Sequence, residues 1–97
     1  MRAVELAVYA DALAGEAASL SARAERARSR IRQAAIEQRA RAGLTQVAVE
    51  RLTTLGLIGT IDESASRAEL LELEATLDAL EELQGWVERE LEAATEA

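Results

Sequence analysis

The chain of 97 residues contains no Cys, no His, no Pro and no Phe, and its aromatic content is one Tyr and one Trp. Without Cys there are no disulfides, no thiol nucleophile and no thiolate metal ligands. Without His the commonest metal ligand and the usual general base are missing. No run of apolar residues approaches the roughly 20 needed to span a bilayer. The longest uncharged stretch is Leu52 to Ile61. The N-terminus has no basic segment followed by an apolar core, so a cytoplasmic location is the expectation. All eleven basic residues are Arg, against eighteen acids, for a formal charge of −7.

What fills the chain is Ala, Leu, Glu and Arg, the composition of long helices and coiled coils. From Ala3 to Ala42 there is no Pro, and the only Gly is Gly15. A seam runs through this stretch as Leu6, Ala10, Leu13, Ala17, Leu20, Ala24, Ala27, Ile31 and Ala34, in steps of three and four. The first helix is predicted over about 3–42, with Gly43 as its stop. Thr45 is placed to cap a short helix over about 45–55, ended by Gly56. A third helix is predicted over about 60–93, with two candidate capping boxes, Thr60 with Glu63 and Ser66 with Glu69. Its seam is Leu70, Leu73, Leu77, Leu80, Gln84, Val87 and Leu91. Its last turns carry Glu88, Glu90, Glu92 and Glu96 against the helix dipole, so they are expected to fray. Short connections between long helices favour antiparallel neighbours. The expected fold is all-α: one domain over residues 1–97, a long antiparallel helical hairpin with a short helix at its tip.

Up to Gly43 there are eight Arg against five acids, and beyond it three Arg against thirteen acids. Folding back at the tip sets a basic helix end beside an acidic one. Arg23, Arg26, Arg30 and Arg41 border the first seam on one side, and Arg28, Arg32 and Arg39 border it on the other. Glu74, Asp78, Glu81, Glu88 and Glu92 edge the Leu seam of the third helix. Interhelical ion pairs form at such flanking positions.

A second row occupies the first helix away from the seam: Val8, Gly15, Ala22, Ser29 and Ile36, every seventh residue. Val4, Asp11, Ala18 and Ala40 lie beside it. On the third helix Ala68, Ala75, Ala79 and Trp86 also lie off the Leu seam. Ala on an outward face is what helix propensity alone selects, but Val8, Ile36 and Trp86 are not. A hairpin cannot cover both faces with itself. Burial against a second copy, completing a four-helix bundle, is the simplest closed solution. The expected oligomer interface is therefore Val8, Gly15, Ala22, Ser29, Ile36 and Trp86. Gly15 and Gly85 would serve close backbone approach or a kink.

The function expected from these residues is a non-enzymatic protein–protein interaction module. It would be a scaffold, adaptor or small regulatory subunit, with itself and another protein as partners and no membrane association. No catalytic, cofactor-binding or metal-binding residue is assigned. The apolar tip of Leu52, Leu55, Leu57, Ile58 and Ile61 closes the open end of the hairpin over Ala42 and Leu44. Leu57 and Ile58, between two Gly, are expected to stand out as a partner-docking tip.

Two alternatives stand beside this reading. A small nucleic-acid-associated regulator would use the Arg-rich residues 23–41, but these divide between two borders and include no aromatic to stack on bases. A divalent-metal hydrolase would use Glu69, Glu72, Asp78, Glu81 and Glu82, though acidic helix surfaces are mostly solvated faces. The Glu-x-x-His spacing of di-iron helical sites has no His to complete it. Length and hairpin form resemble the small helical hairpins exported by type VII secretion systems. Here the turn reads Leu55-Gly56-Leu57-Ile58-Gly59 where they carry Trp-x-Gly, and the tail lacks their Tyr, so membership is not assigned.

Overall fold

Residues that recur at three and four along a Pro-free chain can close their backbone hydrogen bonds locally and still line up one apolar stripe. A computed structural model, which describes residues 2–96, has three helices and no strand among those residues. Helix α1 spans Ala3–Gly43 (41 residues), α2 spans Gln46–Thr54 (9 residues) and α3 spans Glu63–Glu96 (34 residues). Glu5 in the first turn of α1 and Arg41 in the last both complement the helix dipole.

The chain forms two units, one from the residues up to Arg23 together with those from Glu72 onward, the other from Ala24–Leu71. Both α1 and α3 contribute to each. In the first unit Leu6, Leu13 and Val87 form a buried cluster, with Ala10, Leu80, Leu83, Leu91 and Ala94 packed on it. Leu6 and Val87 are the largest fully buried side chains, each worth about 1.5–3 kcal/mol of burial.

In the second unit α1 buries Ala24, Ala27 and Ala34, whose small side chains let neighbouring backbone come close. The later α1 residue Glu37 meets Gly59, whereas the earlier Arg30 meets Ser66 and Glu69, so the two chain directions oppose. Every expected seam residue of α1 and α3 is buried or half-buried.

Local signals set most of the ends. Thr45, in extended conformation, accepts a hydrogen bond from the Ala48 N–H at 3.2 Å and caps α2. At the other end, Gly56 takes φ +71°, its N–H donates to Thr53 and the Leu57 N–H donates to Leu52, which is a Schellman motif. Helix α1 ends at Gly43, but without a left-handed residue there; the positive φ values belong to Gly56 and Gly59.

The start of α3 corrects the sequence expectation. Neither Thr60 nor Ser66 caps it: Asp62 does, its carboxylate accepting the Ala65 N–H at 3.0 Å. Ser66 and Glu69 serve another purpose, described below. The helix also continues through Glu96.

Candidate interaction surfaces

The turn between α2 and α3 is organised by a residue the sequence did not single out. Glu37 is one of two buried polar residues among the described residues and sits one turn beyond Ala34 on the inner face of α1. Its carboxylate accepts from the Gly59 N–H at 3.3 Å and from Gln33 Nε2 at 3.4 Å. Gly59 has φ +75°, and a Cβ there would run into the Arg41 guanidinium. Glu37 thus holds the turn, and Arg41 sits in the space that the missing side chain leaves. A recess of about 190 Å³ lies alongside, lined by residues including Glu37, Gln38, Arg41 and Ile61.

Leu57 and Ile58 lie in the turn between Gly56 and Gly59, both of positive φ. Leu57 stands in solvent at 62% exposed, whereas Ile58 turns inward at 9%. This corrects the expectation that both would be exposed: Ile58 belongs to the core of the second unit and is withdrawn from the docking tip. Ala42 and Leu44 are themselves exposed, so the tip does not close over them. Leu44, Val47 and Leu55 join Leu57 as exposed apolar residues of the same unit. Val47 is exposed although it continues an apolar helical spacing with Leu52 and Leu55.

The charged borders are only partly used as expected. Arg30 does bridge from α1 to α3: its Nη2 donates to Glu69 at 2.7 Å and its Nε to Ser66 Oγ at 3.4 Å. With Arg30 and Glu69 each about 40% exposed, the pair contributes at most about 1 kcal/mol, and its value is in register. Arg32 instead donates to Glu25 on its own helix at 2.8 Å, and Arg28 approaches the same carboxylate at 3.5 Å. The Arg32 hydrogen bond first, and its charge next, hold the Glu25 carboxyl below its ordinary value. On α3, Arg67 pairs with Glu63 one turn away.

The outer row of α1 remains uncovered in the single chain. In the first unit Val8 is 65% exposed, and Gly15 and Ala22 are exposed too. In the second unit Ser29 is exposed and Ile36 is 67% exposed. A Cβ built on Gly15 meets nothing within 4 Å, and one on Gly85 meets only the end of Arg89, so close approach within the chain explains neither glycine. Trp86 is exposed beside a shallow recess walled by Ala79, Glu82, Leu83 and Arg89, all of α3. The structure does not join it to the α1 row.

Among the described residues no three carboxylates converge as a metal site, and Glu69 is taken up by Arg30. No helix is long and apolar enough to cross a membrane. The chain is an all-helical protein whose distinctive surfaces are apolar faces rather than clefts. No family model, curated protein or solved structure matches it.

Proposed function

We propose that this chain is a non-enzymatic, self-associating interaction module, a scaffold, adaptor or small regulatory subunit working in the cytoplasm. Its dimer would complete a four-helix bundle. The observation that carries the reading is the exposure of Val8 and Ile36 on the outer row of a helix whose inner seam is buried. The size of the core supports it. Leu6, Leu13, Leu73, Val87 and Ile58 are the large buried apolar side chains, whereas ten large apolar residues are exposed among the described residues. Small domains with so little core gain stability by association.

A symmetric dimer counts each interface residue twice, and each buried Ile is worth about 1.5–3 kcal/mol. Light scattering behind a sizing column should report a dimer at roughly tens of micromolar, the range for an interface of −6 to −7 kcal/mol. Ile36→Glu, which buries a charge, and Ala22→Arg, which blocks close approach, should both return it to monomer. A wild-type monomer at that concentration would remove the homodimer from this reading.

The exposed Leu44, Val47, Leu55 and Leu57 favour a second use: a tip that docks a different protein while the α1 row binds a copy. Replacing Val47 and Leu57 by Ser would then abolish capture of that protein and leave the dimer intact. The nucleic-acid alternative is disfavoured by the engagement of Arg28, Arg30 and Arg32 with Glu25 and Glu69. Tight DNA or RNA binding at physiological salt, lost on replacing Arg23, Arg26 and Arg30, would restore it.

A further inference from the structure

Side-chain charge is divided unevenly along the single helix α1. Its residues 3–21 hold three acids, Glu5, Asp11 and Glu16, and no Arg, a balance of −3. Its residues 23–41 hold seven Arg against Glu25 and Glu37, a balance of +5. Such a division decides which way round a second copy can bind, because like charges brought together across an interface oppose association and opposite charges favour it. The outer row of α1 has an exposed Val8 in the acidic half of the helix, an exposed Ile36 in the basic half, and Ala22 midway along the row between them.

We propose that the second copy binds antiparallel, the acidic half of each α1 against the basic half of the other, with the two α1 helices meeting at Ala22. The proposal rests on the self-association argued above and adds its orientation. Pairing about Ala22 sets Val8 against Ile36 of the partner subunit, and Gly15 against Ser29 of the partner subunit. Within one residue of the same register, Asp11 faces Arg32 of the partner subunit and Val4 faces Arg39 of the partner subunit. A parallel pairing keeps the apolar row matched but sets each charged half of α1 against its own copy, Asp11 against Asp11 and Arg32 against Arg32. The apolar row therefore permits both orientations, and charge selects one.

The absence of Cys makes the test clean, since one introduced thiol carries one nitroxide. Ala7 is exposed on α1 and lies off the row. Reflected about Ala22 it falls at position 37, thirty residues along the helix. At 1.5 Å per residue, two Ala7→Cys labels in an antiparallel dimer stand about 45 Å apart. In a parallel dimer, with helix axes 8–10 Å apart, they stand within about 20 Å.

Pulsed dipolar spectroscopy of the full chain, at a concentration where light scattering gives a dimer, should show the longer distance. Mixing Ala7→Cys with the exposed Ala42→Cys should produce a short distance of about 20 Å, since these sites lie only five residues out of register across the pair. Short distances in the Ala7→Cys sample alone would overturn the orientation and leave self-association standing. A wild-type monomer in light scattering would remove both.

Discussion

Leu57 and Ile58 are adjacent apolar residues of nearly equal size, and their substitution by Ala should give sharply different results. Ile58 is 9% exposed and Leu57 is 62% exposed. Truncating a buried Ile removes its transfer free energy and leaves a cavity, a loss of 2–5 kcal/mol in well-packed cores. Ile58 lies near the surface of a small unit that can partly collapse, so the lower part of that range applies, about 2–3 kcal/mol. Leu57→Ala removes a side chain already mostly in water and should cost no more than about 0.5 kcal/mol.

Urea unfolding followed by circular dichroism at one fixed protein concentration measures the difference. With a slope of about 1 kcal/mol per molar urea, Ile58→Ala should lower the midpoint by about 2 M and Leu57→Ala by less than about 0.5 M. Equal shifts for the two variants would refute the inward turn of Ile58.

Glu37→Ala should destabilise by about 1–2 kcal/mol in the same assay, because it leaves the Gly59 N–H without its carboxylate acceptor; a neutral result would mean that water replaces it freely. Gly15→Ala should stabilise by about 0.5–1 kcal/mol, as its Cβ meets nothing, whereas Gly59→Ala should destabilise by at least about 1 kcal/mol through positive φ and displacement of Arg41. In a carbon-detected NMR titration Glu25 should lose its charge at lower pH than a free glutamate does, and Arg32→Gln should bring it back toward the ordinary value. Its folded pKa is depressed, so the small stabilisation it gives is present above the unfolded value and fades as pH falls through the folded one.

Helix content, the inner seams and the ends of α2 were determined by the sequence by itself. They depend only on neighbours along the chain. The three-and-four spacing from Leu6 to Ala34 made one face of α1 apolar whatever it packed against, and those residues are the buried and half-buried ones. Thr45 caps α2 and Gly56 ends it because the groups they satisfy lie within a few residues.

The tertiary structure alone decided which of several equally good local choices was used. Thr60 with Glu63 and Ser66 with Glu69 both read as capping boxes, yet Asp62 caps α3. Ser66 and Glu69 are free to hold Arg30 because α1 lies beside them. Glu37 looks in sequence like one more surface acid, and becomes buried only because the turn delivers the Gly59 N–H to it. Ile58 and Leu57 cannot be told apart by composition; the folded turn buries one and leaves the other in water. A polar or apolar side chain takes the partner that the fold brings within reach, and that distance is not written in the order of residues.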